Sequence, residues 1–120
     1  DWLTRDTEIV KAYIEDSYSG FVVSNQFFKE MYAGMGLMNQ SSFYEEWSHD
    51  IPMLCITGEK DPLSAGGKHV APLIQKLASA GITSIQDKRY PDMRHEVLNE
   101  IGKEEVYNDI LNWLNTLSAA

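Results

Sequence analysis

The feature that most restricts this chain is a short apolar run, Pro52-Met53-Leu54-Cys55-Ile56-Thr57, halted by Gly58-Glu59-Lys60-Asp61-Pro62. A strand with one wet face alternates apolar and polar residues, whereas an unbroken run has both faces covered. Such strands sit inside sheets with helices packed above and below. The run therefore predicts a strand over 52–57 in an α/β fold, ended by a turn at its carboxyl side.

The downstream sequence supplies matching parts. Val70, Leu73, Ile74 and Leu77 fall at i, i+3, i+4 and i+7, the stripe of a helix lying on a sheet. Pro72 falls in the first turn or so of that helix, where a missing N–H does least harm, and Gly81 suits the C′ position that ends it. Residues 84–90 predict a second strand. Gln86 and Lys88 interleave there, which fits an exposed or edge position. A last helix starts near Lys103. Glu104 and Glu105 lie at its dipole-favoured end, and Val106, Ile110, Trp113, Leu114 and Leu117 share one face. Strand, crossover helix and strand make a right-handed parallel βαβ unit. Two strands do not form a freestanding sheet. The chain is therefore expected to be part of a larger doubly wound α/β domain whose other strands lie upstream of Asp1. It opens on Asp1-Trp2-Leu3 without an initiator Met, as an excised or truncated piece would.

Residues 1–50 have a different texture, rich in aromatics and Met and without strand-like alternation. They predict helices over 7–15 and 24–34 and a short one over 42–47. Phe27, Phe28, Met31 and Tyr32 mark the apolar side of the second, and Gly34 and Gly36 loosen the chain after it. No repeat or low-complexity segment is present.

Composition excludes several functions. The 120 residues hold 18 acidic against 10 basic side chains, a net charge of -8. Nucleic-acid binding needs clustered Lys and Arg, and anionic lipid repels such a surface. One cysteine, Cys55, permits neither a disulfide within the chain nor a Cys-based metal site; it reads as a buried structural thiol and fits a cytoplasmic location. No apolar stretch reaches the roughly 18–20 residues of a membrane span, and no signal peptide is visible.

Open α/β sheets carry their working residues in loops at the carboxyl ends of strands. Asp61 occupies that place after the first strand and His95 after the second, in Tyr90-Pro91-Asp92-Met93-Arg94-His95-Glu96. Acid then histidine is the chain order of an α/β-hydrolase triad beyond its serine. Imidazole can take the proton of a serine hydroxyl and return it to a leaving group, while a carboxylate on the far ring nitrogen fixes the tautomer. Plainer readings stand beside this one. An Asp before a Pro is commonly a turn residue, a loop His is commonly solvated, and Asp92 is a competing acid nearer in sequence. His49 and His69 carry only the solvated reading, His69 lying in a helix beside Lys68. None of the serines sits in a G-x-S-x-G elbow.

The run Ile51-Pro52-Met53-Leu54-Cys55-Ile56-Thr57-Gly58-Glu59-Lys60-Asp61-Pro62 is similar to the acid segment of bacterial α/β-hydrolases of the serine aminopeptidase, monoacylglycerol lipase and lysophospholipase group. Residues 90–100 resemble that group's histidine segment, 106–114 its closing helix, and the opening stretch to Phe28 its helical cap. The resemblance implies the C-terminal part of an α/β-hydrolase fold, with residues 1–50 a cap or lid and 51–120 a β-α-β-α part of the core. It implies Asp61 as triad acid and His95 as triad base, with the serine and oxyanion hole upstream of the cap. The implied reaction is hydrolysis of a carboxylic ester, a monoacylglycerol or lysophospholipid, through an acyl-enzyme, with no metal or organic cofactor. Phe28, Met31 and Met35 could line an acyl channel, although packing is the simpler role for most of the apolar residues there. The implied partners are the lipid or small-molecule ester and the N-terminal half of the same hydrolase. The chain alone is expected to be inactive. Rival readings are another acyl substrate (amide, thioester or peptide N-terminus), a non-catalytic interaction module with half the fold, and a fragment whose exposed strand edges pair between copies.

Overall fold

A computed structural model describes residues 1–118, apart from the side chain of Ser41. The apolar run forms strand β1 (Met53–Gly58) and the second predicted strand forms β2 (Ile85–Tyr90). They pair in parallel, with Met53 opposite Ile85 and Gly58 opposite Tyr90. Four helices accompany them: α1 (Thr7–Glu15), α2 (Asn25–Met38), α3 (Val70–Ser79) and α4 (Lys103–Ser118). The described residues thus run helix, helix, strand, helix, strand, helix, an α/β arrangement around a two-stranded sheet.

Strand alternation sends neighbouring side chains to opposite faces, and each face has its own small core. On one, Tyr90, Met93, Val97 and Val106 are buried, with Ile56 and Ile110 against them; this is the side of α4. On the other, Tyr44, Leu77 and Ile82 are buried against Met53, Ala80 and Ile85; this is the side of α3. The Tyr90 hydroxyl donates to Asp109 of α4, 3.0 Å away. Gly81 closes α3 with a φ of 91°, as its place after Ala80 predicts.

Several expectations are corrected. Helix α2 does not stop at Gly34 but runs on through Gly36 to Met38. Neither glycine would carry a Cβ within 4 Å of a neighbour, so each weakens the helix by only about 1 kcal/mol and no contact forces a break. The short helix after it is a 3-10 turn, Ser41–Tyr44, anchored where the Tyr44 hydroxyl donates to the Met38 carbonyl at 2.8 Å. His69 precedes α3 rather than lying in it. Strand β1 is half-buried along most of its length, and so is Cys55. The cause is an open edge: away from β2 the strand faces a groove of about 560 Å³ lined by Met38, Tyr44, Trp47, Met53, Leu73 and Trp113, among others. Leu114 and Leu117 of α4, expected on its apolar face, stay exposed. Among the described residues, no helix is long and apolar enough to cross a membrane.

Candidate active site

Gly58 ends β1 and makes the site geometrically possible. A Cβ there would lie 2.2 Å from the backbone oxygens of both Met93 and Arg94. Only a residue without a side chain lets the loop after β1 lie against the loop after β2. Backbone bonds stitch the two together: the Glu59 N–H donates to the Tyr90 carbonyl and the Lys60 N–H to the Met93 carbonyl, each at 2.9 Å.

The first loop then turns around Asp61. The carboxylate accepts from the Leu63 N–H at 2.9 Å and from the Ser64 N–H at 3.1 Å. The Asp61 carbonyl accepts from the Gly66 N–H at 2.8 Å. Gly66 has a φ of 65°, and a Cβ on it would meet the Glu59 carbonyl at 2.7 Å. Asp61 is only 5% exposed. Burial alone would push its pKa up. The Ser64 hydroxyl, the Leu63 and Ser64 amides and His95 outweigh that and hold it below the ordinary carboxylate value, so the group is an anion at neutral pH. Asp61 thus closes the turn and stays charged.

His95 faces that anion. Its Nδ1 lies 3.3 Å from Asp61 Oδ1, and its side chain is 40% exposed against 6% for Asp61. The separation is long beside the roughly 2.7–2.9 Å of a charge-assisted bond. Trp2 flanks the ring, centroid to centroid 5.1 Å at 52°. The Trp2 carbonyl accepts from the His95 N–H at 3.4 Å, and the Leu3 carbonyl from the Glu96 N–H at 2.9 Å. The chain's opening residues thus pack on the histidine and bond to its loop.

The geometry separates the competing residues. Asp92 stays exposed at the turn, and the carboxylate at His95 Nδ1 belongs to Asp61. Among the described residues, His95 is the one imidazole within 4.0 Å of a carboxylate; the His49 ring instead lies against Gly81. Ser64 Oγ accepts from the Gly67 N–H at 3.1 Å and serves the Asp61 turn. Burial and then Asp87 push the Cys55 thiol up, away from the thiolate a nucleophile needs. No three metal-ligating side chains converge among the described residues. Phe28, Met31 and Met35 are 44%, 37% and 53% exposed on α2. Phe28 touches Phe27 and Tyr32 of its own helix, and Met35 lies beside Tyr44 of the 3-10 turn.

Residues 1–102 match the family model of serine aminopeptidase, S33. The chain belongs to that family. The family's α/β-hydrolase fold is borne out by a solved structure, a highly thermostable carboxyl esterase from Bacillus coagulans in complex with glycerol. That esterase is 26% identical, with a TM-score of 0.77 over 97% of this chain. This chain spans 38% of the esterase's length. No curated protein matches its sequence. The family and the esterase together support an ester-hydrolase family, as the histidine and acid segments led one to expect.

The residues that build the site without announcing themselves in sequence are Ser64, Trp2 and Leu3. Ser64 follows the acid by three positions, a spacing typical of a side chain and amide that close an Asp turn. Trp2 and Leu3 act across more than ninety residues, and no local pattern reports such a contact.

Proposed function

We propose that this chain supplies the acid, Asp61, and the base, His95, of a serine-hydrolase triad that cleaves carboxylic esters. The nucleophilic serine and the oxyanion hole come from outside the chain. The observation that supports this best is the contact of a shielded, anionic Asp61 with Nδ1 of a half-exposed imidazole. With Nδ1 held, Nε2 is the nitrogen left for a serine hydroxyl. The base takes the hydroxyl proton as the oxygen attacks the ester carbonyl, then gives it to the departing alcohol. Water repeats the cycle on the acyl-enzyme.

A monoacylglycerol or lysophospholipid is the substrate class we assign. The support is the exposed apolar face of α2, where Phe28, Met31 and Met35 offer an acyl chain flexible and aromatic surface. Residues 1–50 then form the cap and 51–120 the core part of the fold. The groove along the free edge of β1 is where the N-terminal half of the hydrolase is taken to sit, completing the sheet. The lone cysteine goes with a cytoplasmic place of action.

The test is p-nitrophenyl butyrate turnover. The purified chain is expected to show none above its His95→Ala variant. The full-length hydrolase containing it should turn over and lose about 10⁴-fold in kcat on Asp61→Asn and about 10⁶-fold on His95→Ala. Robust His95-dependent turnover by the chain alone, or a full-length enzyme indifferent to both substitutions, overturns the reading. In the second case a non-catalytic module becomes the better account.

A further inference from the structure

Glu100 lies just before α4, and its side chain has no exposure to solvent. A buried carboxylate is costly unless fully hydrogen-bonded, and this one accepts four bonds. Its Oε1 takes the backbone N–H of Arg94 at 2.8 Å and that of Arg5 at 3.1 Å. Its Oε2 takes Arg5 Nε at 2.9 Å and the Ile101 N–H at 3.1 Å. Burial would push its pKa up, but the bonds from Arg94, Arg5 and Ile101 outweigh this and hold it lowered, so the group is charged.

The partners come from three separate stretches of chain: the opening segment, the loop after β2 and the turn that carries Glu100. Further bonds run between the same stretches. Arg94 Nη1 donates to the Thr4 carbonyl at 3.2 Å, the Thr4 hydroxyl to the Asn99 carbonyl at 3.0 Å, and Arg5 Nη2 to the Ile101 carbonyl at 2.9 Å. Thr4 is 1% exposed.

Residues 91–96 belong to neither a helix nor a strand, so no ladder of backbone bonds fixes the ring of His95. Its own amide makes one long bond, to the Trp2 carbonyl at 3.4 Å. The amide immediately before it is the one Glu100 holds at 2.8 Å.

We propose that Glu100 is a positioning residue for His95, a buried carboxylate clamp that pins the histidine loop to residues 2–5 and so fixes the ring between Trp2 and Asp61. The proposal rests on the reading of His95 as the triad base. Misplacing such a group by about 1 Å can cost two orders of magnitude in rate, which is why a loop of this kind needs a fixed anchor.

The test uses the ¹⁵N-labelled 120-residue chain, reading backbone amide exchange and the tautomer of the His95 ring. Glu100→Gln keeps the shape and removes the charge and one acceptor oxygen. It is expected to speed exchange at Arg94, His95 and Glu96 about tenfold beyond any change at Ile110 in α4, and to lower the share of His95 carrying its proton on Nδ1. Exchange at residues 94–96 that rises no more than at Ile110 overturns the proposal, because Glu100 is then only a stability residue. Should Glu100→Gln fail to fold, Arg5→Met decides by the same comparison: it removes the Nε bond and leaves the Arg94 bond, and a local effect of the same sign is expected. Asp61→Asn is the reference arm, changing the ring tautomer without speeding exchange at 94–96. A ring indifferent to Asp61→Asn, with exchange still responsive to Glu100→Gln, would sink the triad reading and leave the clamp standing.

Discussion

Replacing Gly58 by alanine probes the junction on which the site depends. The added methyl would lie 2.2 Å from two backbone oxygens, where real Cβ atoms essentially never come within 3.0 Å. Those oxygens belong to Met93 and Arg94, so no side chain can swing aside; the loop itself must move. Over-packing of this kind costs about 1–3 kcal/mol. The movement also strains the Glu59–Tyr90 and Lys60–Met93 backbone bonds, each contributing about 1 kcal/mol. The expected loss is about 3 kcal/mol, or roughly 10 °C in Tm for a chain of this size. Circular dichroism reads the melting, and ring ¹⁵N shifts read whether His95 still meets Asp61. Both should change, because the displaced loop carries His95. A Gly58→Ala chain that melts within about 2 °C of the parent with an unaltered His95 ring would refute the claim that the two loops are held backbone to backbone.

Acid should weaken the fold through Asp61 and Glu100. Both pKa values are depressed on folding, so their contribution is complete above the ordinary carboxylate range near pH 4 and is lost as pH falls through the lower folded values. Urea midpoints measured downward from pH 5 should drop, and the drop should shrink in Asp61→Asn; a flat profile contradicts the assignment. Tyr90 gives the opposite sign. Its pKa is raised above the ordinary 10, by burial first and then by Asp109, so stability should begin to fall above pH 10, and less so in Tyr90→Phe. Val106 has no exposure, and Val106→Ala should cost about 2 kcal/mol by denaturant titration, with little change if the α4 side of the sheet is not a core.

The sequence revealed what is local. An unbroken apolar run ending in Gly58 specified β1, and the stripe from Val70 to Leu77 with Gly81 behind it specified α3. The places of Asp61 and His95 followed from the rule that loops at strand ends carry function. What stayed hidden is long-range or contextual. Gly34 and Gly36 suggested a break, but an exposed helix with nothing packed on its glycines propagates through them. The apolar run implied burial on both faces, and β1 is half-buried because its second edge has no neighbour among the described residues. Glu100 looked like one acid among many. Its burial depends on Arg5, ninety-five positions away, and no periodicity in either segment encodes that pairing.

The account stands on a carboxylate that dictates where the proton sits on one imidazole. Long-range ¹H–¹⁵N spectra of neutral His95 measure this directly. The proton should reside on Nδ1, facing Asp61, and should shift to Nε2 in Asp61→Asn, whose amide can donate to the ring instead. A His95 that carries its proton on Nε2 in the parent chain, and does not respond to Asp61→Asn, contradicts the account.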